Sequence, residues 1–245
     1  MKASMWGATD VGRSRKINED SFLLSPDHNF VAVADGMGGY QRGDVAAQLA
    51  CNVVKEVLYT HKHVVELFRR APSEATASAV KTMLDTTMQR ACKEVHDAAV
   101  AMTGKGGRMG TTMDIVLFVG SKAFVAHVGD GRVFLLRGGE IHKLTEDHTV
   151  ASQEAASGVP PEQRSARNVI TRALGVFPNV MVDSLVFDLQ VDDRVIICTD
   201  GLYEYVDESE MATEVAQGEV AEVVDHLIGI ANQRGGRDNI SVVVF

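Results

Sequence analysis

The sequence predicts an α+β fold in which antiparallel sheets lie beneath outer helices, and three observations predict it. The order of elements is strands, two helices, strands, a polar helical insert, strands, a helix and a last strand. That order lacks the strict β-α-β-α rhythm of a doubly wound parallel sheet. Gly138-Gly139 joins two strand-like runs through only two residues, a connection that forces the strands antiparallel. Hydrophobic residues make up 45% and charged residues 23% of the 245 residues, enough apolar material for a sizeable core and too much for a disordered chain.

The elements follow in order. Residues 22–24 and 30–34 read as strands, rich in aromatic and β-branched side chains and flanked by Asp and Asn. Asp44 is the predicted N-cap of a helix whose Val45, Leu49, Val53, Val57 and Leu58 recur at helical spacing. Val80, Leu84, Met88, Ala91, Val95 and Ala98 draw one apolar stripe along a long helix over residues 73–99. Strands follow at 115–119, 123–128 and 133–136, then the polar insert at 149–167, then strands at 181–189 and 195–198. Val220, Val223, Val224, Leu227, Ile228 and Ala231 mark a third helix, stopped by Gly235-Gly236, before a last strand at 240–245. No composition break divides residues 1–245; the chain reads as one domain with no appended anchor or targeting tail.

Composition narrows the function classes. A net charge of −9 argues against a polyanion binder, because nucleic-acid affinity leans on clustered Lys and Arg. No apolar run approaches the roughly 18 residues of a membrane span, and the N-terminus lacks an apolar signal segment. Cys51, Cys92 and Cys198 are odd in number and far apart, which fits neither a disulfide framework nor a zinc site. These bounds point to a soluble, cytoplasmic domain.

Acids sit where apolar strands end or begin. Residues 30–34 run into Asp35-Gly36, residues 124–129 into Asp130-Gly131 and residues 195–199 into Asp200-Gly201, while Asp238-Asn239 precedes the terminal strand. Asp-Gly is also a common turn dipeptide, and Asp130-Gly131 lies between two strands as a hairpin turn would. If the strands belong to facing sheets, the four carboxylates converge. Gathered carboxylates repel one another and need a cation, and hard oxygen donors without His or Cys partners select Mg²⁺ or Mn²⁺ over zinc. The charged run 10–20 is either a solvated loop or a phosphate grip, since an arginine there can hold a phosphate bidentately. Other templates fail: residues 104–110 match neither the Walker pattern nor GxGxxG, no HExxH or GxSxG occurs, and the eight histidines show no metal spacing.

Taken together, the motifs resemble the metal-dependent protein phosphatase family, protein phosphatase 2C type, in its compact bacterial form. The resemblance covers nearly the whole chain in the family's order: Arg15-Lys16-Ile17-Asn18-Glu19-Asp20, Asp35-Gly36-Met37-Gly38-Gly39, Gly110-Thr111-Thr112 and Val128-Gly129-Asp130-Gly131-Arg132 come first. Leu144-Thr145-Glu146-Asp147-His148, Ile170-Thr171-Arg172-Ala173-Leu174-Gly175, Thr199-Asp200-Gly201-Leu202 and Gly236-Arg237-Asp238-Asn239 complete the series.

The resemblance implies a four-layer αββα sandwich with the metals in a cleft at one edge and a flap over residues 149–168. It implies that Asp35 bridges two metal ions, that Gly36 gives its carbonyl to the first, and that Asp200 and Asp238 ligate the second. Asp130, with Asp200, corresponds to a third, weaker metal position. Arg15 matches the arginine that binds the substrate phosphate; Glu19 and Asp20 match acids holding metal-bound water, and Asn239 stands in their supporting shell. Two departures stand out: Met37 occupies a position where some relatives carry a histidine proposed as general acid, and Gly131 replaces the usual serine, which is expected to loosen that turn. The implied activity is hydrolysis of phosphoserine and phosphothreonine by a metal-activated water at a binuclear Mn²⁺ or Mg²⁺ centre. The implied partners are phosphoprotein substrates and an opposing Ser/Thr protein kinase, with the phosphatase a monomer. The alternatives are a catalytically silent binding module on the same fold and a phosphatase of small-molecule phosphates.

Overall fold

The computed structural model describes residues 4–38, 42–104, 109–165 and 169–245. The first part of the chain runs β1 (Trp6–Asp10), β2 (Asp20–Ser25), β3 (Phe30–Met37), α1 (Gly43–Thr60), α2 (Lys62–Arg70), α3 (Glu74–Thr103), β4 (Gly110–Thr111), β5 (Met113–Val119) and β6 (Lys122–Val128). It continues with β7 (Arg132–Arg137), β8 (Glu140–Lys143), α4 (Val150–Ala156), a 3-10 turn at Pro161–Gln163, β9 (Asp183–Asp188), β10 (Arg194–Cys198), α5 (Asp200–Tyr203), α6 (Glu208–Gln217), α7 (Val220–Gln233) and β11 (Ile240–Val244).

The strands form two antiparallel sheets, one ordered β1-β11-β10-β7-β8 and the other β2-β3-β5-β6-β9 with β4 attached to β3. A strand's side chains alternate between its two faces, and here both faces are buried. Val31, Val33, Val116, Val125, Val133, Val195, Ile197 and Val243 meet in a core between the sheets. Their neighbours point outward: Phe30, Ala32, Ile115, Leu117, Phe124 and Ala126 pack against α1 and α3, and Phe134, Ile196, Val242 and Val244 pack against α6 and α7. The result is helix, sheet, sheet, helix, the predicted four layers. Continuous apolar runs in β3, β5 and β10 are the sequence trace of strands covered on both sides.

The predicted strands all appear, with shifted ends. The Gly138-Gly139 hairpin is formed, with Arg137 opposite Glu140 and both glycines at positive φ, 59° and 87°. The long helix starts one residue after the predicted point, with Ser73 as a capping-box N-cap. Asp44 is not the cap of α1. It lies inside the first turn, bonded to Arg42, and the first amide of the helix, Gly43 N–H, donates to Glu19 Oε1 at 2.9 Å instead. The cap comes from a distant segment, which no local pattern encodes.

β1, β4, α2, α5 and α6 are elements the sequence pattern did not single out. β1 is a half-exposed edge strand containing Gly7, and α2 and α6 each bury only two side chains, Val65 with Phe68 and Met211 with Val215. Residues 105–108 of the glycine-rich loop, Gly39 of the Asp35 motif and residues 166–168 of the insert lie outside the described residues.

Phe124 is fully buried and meets Phe68 edge to face at 5.1 Å. Phe124→Ala should therefore lower the unfolding free energy by about 3–5 kcal/mol, the range for a buried Phe truncation, read as a lower denaturation midpoint at unchanged slope.

Candidate functional site

Strand direction carries the acids to one end of the sandwich. β3 and β10 deliver Asp35 and Asp200 at their C-terminal ends, and β2 and β11 begin immediately after Glu19 and Asn239. In the β2–β3 ladder Asp20 stands directly opposite Asp35. β6 and β7 belong to different sheets, so Asp130-Gly131 is a crossover between sheets rather than the hairpin turn the dipeptide alone allows. The opposite end of the sandwich holds a larger cleft of about 1000 Å³ bordered by Asn29, Phe118 and Phe245; none of the predicted acids reaches it. A smaller cavity of about 310 Å³ is lined by Asp130, Arg132, Asp200, Tyr203 and Arg237.

The electrostatics record the crowding. Burial, reinforced by the charges of Asp20, Asp200, Asp130 and Asp238, holds the Asp35 carboxyl well above the usual carboxylate range. Burial, with Asp130 and Asp238 close by, pushes Asp200 up to about 8. Asp20 rises to about 6, because burial outweighs the hydrogen bonds from Ser241 Oγ (2.6 Å) and Thr199 Oγ1 (3.0 Å) to its Oδ2. Asp130 also rises to about 6 through burial, with Asp147 and Asp114 adding to it. Four carboxyls displaced in the same direction behave as one repulsive set.

The other predicted residues frame this set. Arg15 donates from Nη2 to Asp238 Oδ2 at 2.7 Å with about half of its side chain in solvent. Glu19 lies beside Arg15 and caps α1 with its carboxylate; burial raises it above the usual glutamate range. Asn239 does not reach toward the acids. Its Oδ1 accepts from Glu19 N–H at 2.8 Å and its Nδ2 donates to the carbonyls of Val11 and Ile17 at 3.0 and 3.1 Å, which staples the N-terminal loop to β11. Gly36 is sterically obligatory, since a Cβ there would lie 2.2 Å from the Gly43 carbonyl oxygen. At Gly131 the space a Cβ would take is filled by the Asp114 carboxylate.

Several supporting groups were given no role by the sequence reading, even where they stand inside its motifs. Asp35 N–H donates to Thr112 Oγ1 at 2.9 Å, and Asp35 C=O accepts from Thr112 N–H at 2.8 Å and Thr111 Oγ1 at 2.9 Å. Tyr203 Oη donates to the Asp130 carbonyl at 3.0 Å while Arg132 stacks on its ring, 3.6 Å from the centroid. The partner of the Thr199 and Ser241 hydroxyls had no signal in the sequence, because they meet Asp20 across about two hundred residues of chain.

The donor set suits a hard divalent cation. Oδ1 of Asp20 and Oδ1 of Asp200 are buried without a hydrogen-bond partner among the described residues, and the available donors are oxygens throughout. No three of the described side chains stand ready around one point at ligand spacing. Like charges hold one another off, so closer convergence requires a cation to offset the repulsion.

The chain belongs to the protein phosphatase 2C family, whose model matches residues 12–241. It is similar to the serine/threonine phosphatase stp of Listeria monocytogenes, with 34% identity over 96% of this chain and 92% of the relative. Among solved structures it resembles the serine/threonine phosphatase PstP/Ppp of Mycobacterium tuberculosis, with a TM-score of 0.84, 30% identity and coverage of 98% of this chain and 97% of that one. The catalytic domain of PstP in complex with two manganese ions matches at TM-score 0.82 and 30% identity, over 98% of this chain and 96% of that one.

Raised folded-state carboxyls make the chelated protein bind more protons than its unfolded chain, whose carboxyls titrate near about 4. Their contribution to stability is therefore complete below that value and is lost as pH rises through about 6 for Asp20 and Asp130 and about 8 for Asp200. In chelator, the melting temperature should fall between pH 5 and 8.5; Asp200→Asn should flatten the upper part of that decline.

Proposed function

We propose that the chain hydrolyses phosphoserine and phosphothreonine in proteins, with Mn²⁺ or Mg²⁺ held by Asp35, the Gly36 carbonyl, Asp200 and Asp238, and a weaker ion at Asp130 with Asp200. The observation that carries this is the crowded, partly desolvated carboxyl set at one end of the facing sheets, on a chain of the protein phosphatase 2C family. PstP, which resembles this chain over nearly its full length, holds two manganese ions in its catalytic domain. Bound there, the ions would offset the carboxylate repulsion, neutralise phosphoryl charge and acidify the attacking water.

The chain's own residues supply placement. Thr111 and Thr112 fix the Asp35 backbone, and Ser241 and Thr199 orient Asp20 so that its Oδ1 is left free. Arg15 exchanges Asp238 for the substrate phosphate, which its exposed guanidinium can grip bidentately. Met37, at the end of β3, brings no titratable group, so the side chain at that position does not protonate the leaving alkoxide.

The reading extends to the setting. Residues 1–245 form one catalytic domain, and 149–168 form a flap, consistent with α4 burying only Ala151 and with the cavity of about 190 Å³ it shares with Arg132 and Asp147. Among the described residues no helix is long and apolar enough to cross a membrane. We place the protein in the cytoplasm as a monomer opposing a Ser/Thr protein kinase, with its three buried thiols reduced.

With Mn²⁺ the protein should release phosphate from phosphoserine and phosphothreonine peptides, and chelator should stop it. Asp200→Ala and Asp238→Ala should each reduce kcat by about 100-fold or more, beyond the effect of outer-shell residues; normal turnover in both rejects the ligand set. Preference for sugar or nucleotide phosphates would move the assignment to small-molecule substrates, and no turnover of any phosphate ester would indicate a silent binding module. Arg15→Ala should raise KM about 10-fold or more with a smaller change in kcat, as for a lost charge-assisted hydrogen bond worth about 1.5–3 kcal/mol.

A further inference from the structure

β5 is apolar except for one residue: Asp114, fully buried and directly opposite His127 of β6. Its Oδ1 lies 2.7 Å from His127 Nδ1, while its Oδ2 is buried with no hydrogen-bond partner among the described residues. Asp114 is part of none of the motifs that carry the family resemblance.

Three further contacts give it a context. A Cβ added at Gly131 would lie 2.0 Å from Asp114 Oδ2, so the carboxylate and any side chain at residue 131 claim the same space. His127 faces oxygen acceptors with both ring nitrogens, Asp114 Oδ1 and the Glu146 carbonyl at 3.0 Å. That arrangement is satisfied by an imidazolium paired with a carboxylate. His148, its ring centroid 4.5 Å from that of His127, accepts from Gly129 N–H at Nδ1 (3.1 Å) and donates its own backbone N–H to the Gly129 carbonyl (2.7 Å). Gly129 and Gly131 flank Asp130, and the Asp130 carbonyl is held by Tyr203.

We propose that Asp114 is a positioning residue for Asp130: anchored by His127, its carboxylate occupies the place of a side chain at residue 131 and seats the crossover turn so that Asp130 faces the weak cation position. This rests on the reading of Asp130 given under Proposed function. Hydrogen bonds hold the turn at two successive residues, from His148 at 129 and Tyr203 at 130, and Asp114 Oδ2 fills the space beside Gly131. Asp114 thus acts through packing and a buried ion pair rather than as a ligand.

The test is a cycle of Gly131→Ala, Asp114→Ala and the double variant, each titrated with Mn²⁺ calorimetrically from the metal-free full chain and melted without metal, with Asp130→Ala as the control. Gly131→Ala should weaken the weak ion about 10-fold or more, the scale of a lost supporting contact, while leaving the tight pair unchanged. Adding Asp114→Ala should restore the weak ion to within about 3-fold of the parent, because the space is vacated and His127, neutral, still donates from Nε2 to Glu146. A double variant no better than Gly131→Ala overturns the proposal. So does equal weakening of all the ions with a lower metal-free melting temperature, which a general packing defect would give. Unchanged metal stoichiometry in Asp130→Ala instead overturns the ligand reading, and the proposed consequence falls with it.

Discussion

Withdrawal of a crowded set of carboxyls from water, with repulsion among them as the smaller effect, governs this structure. Asp20 and Asp130 are buried and Asp35 and Asp200 half-buried at the same end of the sandwich, and each is pushed toward its protonated form. A protein stabilised only by burial and backbone hydrogen bonding gains nothing from such a cluster, since the charged forms lose hydration and oppose one another. The arrangement makes physical sense as stored binding capacity for divalent cations, with folding having already met the cost of bringing the acids together.

The frame that withstands this repulsion is rigid and largely neutral. Threonine and serine hydroxyls reach Asp20, both threonines after Gly110 hold the Asp35 backbone, and Tyr203 holds the Asp130 carbonyl. Neutral donors orient a carboxylate without cancelling its charge, so the oxygens left over keep their affinity for a cation. Arg15 is different: it contacts Asp238 from the solvent side, where a guanidinium is free to change partners.

Behind the site, three apolar cores hold the strands in place. The inter-sheet core of valines and isoleucines sets the spacing of the sheets, and the two helix-covered faces prevent either sheet from sliding. Because close-packed interiors resist small displacements, the strand ends and their acids are held in register. Asp114 and His127 form a polar pair inside β5 and β6, joined through Asp114 Oδ1 and His127 Nδ1, with the other ring nitrogen on the Glu146 carbonyl.

Much of this was legible in the chain. Binary patterning gave the antiparallel α+β class and every core strand, because two-sided burial leaves continuous apolar runs in the sequence. The glycine-flanked acids at strand ends marked the candidate site, because Asp-Gly after a strand is a local signal. What remained hidden depends on distant contacts. Glu19 caps a helix that begins twenty-four positions later, Asn239 ties β11 to the N-terminal loop, and Thr199 with Ser241 meets Asp20. Whether Asp130-Gly131 closes a hairpin or crosses between sheets was likewise open, since the dipeptide fits both backbones. Local composition determines which segments become strands and helices. The pairing of those strands into two facing sheets decides which acids become neighbours, because through-space charge depends on distance in the fold and not on separation along the chain.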